Sequence, residues 1–184
     1  ALELLETPRQ AWSTVRMLSS AGMAAGEPSM AVDASGTFHV VWVEGAPGSV
    51  SNIIAYASVE GEAISNAIAV MSGQEGEFIS QPNLLADPAG WLHMAWSGGA
   101  QGELRYSRVR LEEAGNPGSW SPVQGFQSGA AGSAQLARDS AGRLYLMYAK
   151  PARIPLDEHD HVKRWFGRIQ QLEAWKQTEP PMLG

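Results

Sequence analysis

"AVDASGTFHVVW", Ala31–Trp42, returns as "LADPAGWLHMAW", Leu85–Trp96, and more loosely as "ARDSAGRLYLMY", Ala137–Tyr148. The aspartates Asp33, Asp87 and Asp139 stand 54 and 52 residues apart, and Gly36, Gly90 and Gly142 keep the same spacing. A period near 50 residues is that of a propeller blade, while two-helix solenoid repeats usually run shorter. Each copy centres on Asp-x-x-Gly, whose aspartate can accept a hydrogen bond from the backbone two residues on. Its glycine can take the left-handed conformation that closes a tight hairpin. The turn therefore joins two strands.

The residues on either side agree. "PSMAV" and "PNLLA" lead into the turn, and "TFHVVWV", "WLHMAWS" and "RLYLMYA" leave it. The latter are rich in β-branched and aromatic residues and apolar on both faces, as expected of a strand held between neighbouring sheets. A third strand is expected in "NIIAYASVE", "ELRYSRVRL" and "KRWFGRIQQ". The fourth is expected at "AISNAIAV", at "WSPVQ" from Trp120 and at "AWKQ" around Trp175. Four strands per unit, repeated radially, make a β-propeller blade. The segment Leu2–Val15 resembles the third and fourth strands of such a unit, so the chain starts inside a blade. The expectation is an all-β fold, a β-propeller segment of about three and a half four-stranded blades. Residues 1–17 supply the second half of a blade, and 27–71, 80–125 and 132–178 supply the other three.

Composition sets outer bounds. The 184 residues are 44% hydrophobic and 17% charged, enough to build an ordinary core. A net charge of -6 with no Lys/Arg cluster lacks the electrostatic footprint of nucleic-acid binding. No apolar run approaches the ~18 to 20 residues of a membrane span, and no signal-peptide pattern opens the chain. Without cysteine there are no disulfides, thiolate metal sites or cysteine nucleophiles.

The pattern P-x-x-x-x-D-x-x-G-x-x-H-V-x-W, followed by Tyr and then Trp-Ser, resembles the repeats of bacterial sialidase-like propellers, the BNR or Asp-box proteins. The resemblance spans Glu27 to Gln177. Between Asp33 and Gly36 there are two residues, where the strict Asp-box has one. The resemblance implies a ring with more blades than this chain encodes, and an extracellular or cell-envelope location in a bacterium. It also implies a binding face made by the loops between second and third strands and by the connections between blades. Three and a half blades would leave two apolar faces open. At about 25 cal/mol per Å², several hundred Å² of blade face forgo on the order of 10 kcal/mol, comparable with a domain's whole stability. Two outcomes are open: completion by other chain, from the same parent polypeptide or another subunit, or a compact non-circular β fold.

Candidate ligand contacts on the implied binding face are Glu44 in the first such loop and Arg153, Asp157, His159 and His161 in the third. That third loop, "KPARIPLDEHDHVKR", alone carries dense ionisable groups. Its Asp157-Glu158-His159-Asp160-His161 run could ligate a divalent metal, contact a glycan or protein, or simply be solvated. Pro151 and Pro155 stiffen it. No metal or cofactor is assigned. His39 and His93 recur with Tyr145 at the matched position, as strand residues whose polar tips satisfy a nearby turn. Trp42, Trp96 and Tyr148, and Trp12, Trp120 and Trp175, read as wedges between sheets. The resemblance implies that a sialidase needs three arginines on one substrate carboxylate. Arg105 and Arg108 on a third strand, Arg138 beside a turn, Arg153 in a loop and Arg164 do not assemble into such a triad. No catalytic residue is assigned, and the leading expectation is a non-catalytic scaffold for a protein or glycan. The alternative is part of a glycoside hydrolase with its catalytic residues mostly elsewhere.

Overall fold

The structure is a computed structural model and describes residues 15–99, 102–126, 132–149, Arg164, Arg168 and Gln171. It divides into two compact units, Ala1–Lys150 and Pro151–Gly184. All described strands lie in the first. They are β1 (Ala24–Val32), β2 (Phe38–Gly45), β3 (Ile53–Glu60), β4 (Ala63–Ile64), β5 (Ile68–Ser72), β6 (Phe78–Ala86), β7 (Trp91–Gly99), β8 (Glu103–Arg110), β9 (Gln124–Phe126), β10 (Gly132–Arg138) and β11 (Leu144–Ala149). They form three antiparallel meanders in chain order: β1 to β5, β6 to β9, and the hairpin β10–β11.

The fourth strand of the first sheet comes in two pieces. β4 pairs with the end of β3 and β5 with its beginning. In the second sheet two 3-10 turns, Leu111–Glu113 and Pro117–Ser119, precede a short β9. Trp120 therefore stands ahead of the fourth strand expected to start at it. Its indole donates to the Ala114 carbonyl oxygen at 3.1 Å, a bond that holds the inserted turns against the sheet.

Side chains alternate across each sheet, which gives every sheet two different faces. On β2, Val41 and Val43 point towards the second sheet and pack in one core with Ile54, Tyr56, Leu92, Met94 and Trp96. Val40 and Trp42 point the other way, with Ala55 and Ala57. In the second sheet the face carrying Leu92, Met94 and Trp96 meets the first sheet. Ala95 and Leu104 on its opposite face pack with Ala134, Leu136 and Leu146 of the third. The second sheet thus has a Trp side, facing the first sheet, and a His side, facing the third, and the same names serve for the matching sides of the other two.

The first strands lie side by side. Ser29 Oγ accepts from Leu84 N at 3.1 Å, and at the matched position Asn83 Oδ1 accepts from Leu136 N at 2.7 Å. This link depends on a bulge that recurs at Gly26/Ser29, Ser80/Asn83 and Gly132/Gln135. Glu27 and Gln81 occupy it with φ of 52° and 53°, an uncommon region for side-chain-bearing residues. Gln81 N donates to the Glu27 carboxylate, which ties one bulge to the next.

Three expectations change. Arg164 and Arg168, in the stretch read as the third strand of the last unit, are helical. Long unbranched side chains and apolar residues at Trp165, Ile169 and Leu172, spaced by four and three, favour a helix over an alternating strand. Glu44, read as a loop residue, is inside β2 and buried, because its carboxylate serves two donors described below. Tyr148, read as a core wedge, is 40% exposed. Residues 1–14 of the half blade expected at 1–17, most of Lys150–Gly184, Trp12 and Trp175 lie outside the described residues.

Candidate functional site

The three Asp-x-x-Gly turns are built alike. Gly36, Gly90 and Gly142 have φ of 87°, 84° and 87°, the left-handed conformation that costs glycine least. Asp33 Oδ1 accepts from Ser35 N at 2.9 Å and Thr37 N at 3.0 Å. Asp87 Oδ1 accepts from Trp91 N at 2.9 Å, and Asp139 Oδ1 from Arg143 N at 2.8 Å. All three aspartates are spent on their turns.

The second carboxylate oxygen extends the network into the sheet. His39 Nε2 lies 3.2 Å from Asp33 Oδ2, and His39 Nδ1 lies 2.8 Å from the Tyr56 hydroxyl. His93 repeats this with Asp87 at 3.2 Å and Tyr106 at 2.7 Å. A carboxylate only accepts, so Nε2 carries the proton in each pair. Nδ1 then takes the tyrosine O–H. Burial pushes both tyrosine hydroxyls up in pKa, which keeps that proton in place. Hydrogen bonds from the Ser35 hydroxyl, above all, and from His39 and the turn amides hold the Asp33 carboxyl down at about 2. In the third unit Tyr145 donates directly to Asp139 Oδ2 at 3.0 Å, and Arg143 Nε reaches the same atom at 2.7 Å. One tyrosine replaces the His–Tyr pair.

The first network borders an open cleft of about 510 Å³, lined by Asp33, Thr37, His39, Tyr56, Ser58 and Glu112 among others. It lies on the Asp-x-x-Gly side, opposite the face expected to bind. Among the described residues no group of three or more His, Asp or Glu is placed to hold a metal ion.

On the expected binding face the first two sheets differ. Glu44 Oε1 accepts from Trp42 Nε1 at 2.7 Å and from Ser20 N at 2.8 Å. In the second sheet Gly98 takes the place of Glu44, and Trp96 Nε1 is buried without a partner. The nearby carboxylate of Glu77, in the connection, serves other donors. It accepts from Gln74 N at 3.2 Å and from both terminal nitrogens of Arg105, each at 3.2 Å. The Arg105 hydrogen bonds hold the Glu77 carboxyl below its ordinary range. Arg105 is thereby committed, and Arg108 and Arg110 stack over Trp91 at 4.5 and 4.1 Å. Removing a donor from a buried acceptor costs more than removing one that has no partner. Trp42→Phe should therefore lower stability by about 1–2 kcal/mol. Trp96→Phe should change it far less, as read by denaturant unfolding of the two variants side by side.

Of the predicted ligand contacts, Glu44 sits in this buried pair, and Arg153, Asp157, His159 and His161 lie outside the described residues. The tyrosines of the His networks recur visibly in the sequence. Their pairing with histidine is set by the antiparallel register, which puts Tyr56 opposite Val41, two residues from His39 on the same face.

No family model and no curated protein matches the chain. Among solved structures it is similar to an endo-arabinase from Bacteroides thetaiotaomicron, with a TM-score of 0.57 at 14% identity over 74% of this chain. The fold is that of a β-propeller. The match covers 55% of the arabinase, so the chain spans about half of that structure. A Hadza microbial sialidase aligns over 70% of this chain and 32% of its own, with a TM-score of 0.44 at 15% identity. The arabinase alignment concerns fold and not chemistry. Among the described residues no helix is long and apolar enough to cross a membrane.

Proposed function

We propose that this chain is a non-catalytic propeller segment, a scaffold that binds a glycan or protein, with its ring completed by other chain. The observation that carries the reading is repetition: the Asp–His–Tyr set occurs twice with the same distances, each set satisfied within its own sheet. A reactive centre is a single constellation that departs from the symmetry of its scaffold. A group repeated at matched positions of two units has a job those units share, here the anchoring of a turn to its sheet. Arg105, an arginine otherwise available to clasp an anionic substrate, is held by Glu77 and Glu103. Binding is then left to the loops between second and third strands. The contacts proposed there are Arg153, Asp157, His159 and His161, Glu44 being spent inside β2, and an extracellular or envelope location suits a glycan ligand.

The test pairs turnover with binding. Purified chain should release no fluorophore from an aryl sialoside or an aryl arabinoside above the buffer rate, while a glycan array retains it. The doubly substituted Asp157→Asn/His159→Ala chain should lose that retention about ten-fold or more. Saturable hydrolysis of either glycoside would overturn the proposal in favour of a glycoside hydrolase segment.

A further inference from the structure

Resting on the scaffold reading, we infer that the remaining partner is a second copy of this chain, docked head to tail, the Trp side of one first sheet on the His side of the other's third. The chain carries both halves of one interface. Its first sheet presents Met30, Val32 and Phe38 on the Trp side, all exposed; the third presents Tyr145 and Met147 on the His side, also exposed. These are the positions that are covered where one sheet meets the next within the chain. Val41 shares a core with Leu84, and Ala95 shares one with Leu136. Met147 stands where Val41 and Ala95 stand, and Met30 stands where Leu84 and Leu136 stand.

The polar link follows the same register. Ser29 takes the Leu84 N–H and Asn83 takes the Leu136 N–H. The next residue in that row is Gln135, whose amide is 3.4 Å from that of Asn83. The matching donor is the N–H of Met30 on the other copy. An apolar cleft of about 180 Å³ on the same Trp side is lined by Leu18, Ala25, Pro28, Val40 and Trp42. In the second sheet the equivalent surface, around Met94 and Trp96, is filled by Val43 and Val70 of the sheet before it. A patch and its complement on one molecule make a heterologous contact, which closes into a ring when the rotation allows.

The experiment uses the whole chain in sedimentation and light scattering over a concentration series. Met30 and Met147 are 60% and 59% exposed, so charged substitutions there leave each folded copy intact; circular dichroism checks this. The expected result is a mass of two chains for the natural sequence, with association weakened about ten-fold or more by Met30→Lys or by Met147→Asp. Mixing the two variants should restore it, because one contact in the mixed pair is unaltered and the other joins Lys to Asp. A dimer insensitive to both variants, or a mixture that fails to recover, would overturn the head-to-tail contact. A monomer that binds an apolar dye, with less bound by Met147→Asp, would overturn the second copy while leaving completion by another polypeptide standing. A monomer that binds no dye would remove both.

Discussion

Replacing Leu92 with alanine lowers the unfolding free energy by about 2–5 kcal/mol, while the same truncation at Phe38 costs under about 1 kcal/mol. The two residues occupy the same position of the repeat, the start of the second strand, with the side chain on the Trp side. Leu92 is fully buried between the first and second sheets, and Phe38 is exposed on the first sheet's outer face. The alanine variant of Leu92 loses the transfer free energy of its side chain and leaves a cavity in a core that cannot fully collapse. The one at Phe38 removes surface that water already reaches. Urea unfolding at a protein concentration too low for copies to associate measures both. Equal losses at the two positions would mean that the outer face is covered within the single chain.

The second large effect is at the turn. Asp33→Ala should cost about 2–4 kcal/mol, because one carboxylate serves two turn amides, the Ser35 hydroxyl and a buried imidazole, and truncation leaves His39 without its acceptor. Asp139→Ala should cost less, since its partners Arg143 and Tyr145 are exposed and water replaces the lost bonds. The effect also has a pH signature. The Asp33 carboxyl has its pKa lowered to about 2 in the folded chain, against about 3.9 when unfolded. Its ionised form therefore stabilises the fold fully above pH about 4, and the contribution fades as the pH falls to about 2. The difference between the natural chain and Asp33→Ala should shrink over that window and hold steady above it. A difference independent of pH down to about 2 would mean that the charge of Asp33 is not what the turn uses.

The completed-ring reading concerns the sheet faces, and the scaffold reading the loops between second and third strands. Large hydrophobic residues also stand on the two outer faces of the described sheets: Met30, Val32 and Phe38 on the first, Tyr145 and Met147 on the third. Natural monomers rarely leave such faces uncovered. Their chemistry matches the faces already joined within the chain, which is the ground for proposing another copy as the partner.

The sequence by itself determined the repeat, the turn and the strand pairs that flank it. Those features are local: Asp-x-x-Gly dictates a backbone path over a few residues, and β-branched and aromatic runs favour extended chain wherever they sit. The roles of Asp33 and Asp87 as turn anchors, of the two histidines as satisfied strand residues, and of Trp42 and Trp96 as wedges were all legible at that range. What only the tertiary structure decided concerns pairs of residues distant in the chain. Register placed Tyr56 beside His39. Packing across the first strands joined Ser29 to Leu84 and Asn83 to Leu136. Glu44 proved to be a buried acceptor because Ser20 and Trp42 converge on it, while in the second sheet Trp96 has no such acceptor and Glu77, from a connecting segment, holds Arg105. Arg164 and Arg168 turned out helical where similarity to the third strands of the other units had suggested extended chain. A periodic pattern announces which unit a residue belongs to; which atoms it meets depends on how neighbouring units stack, and that is a property of the folded chain.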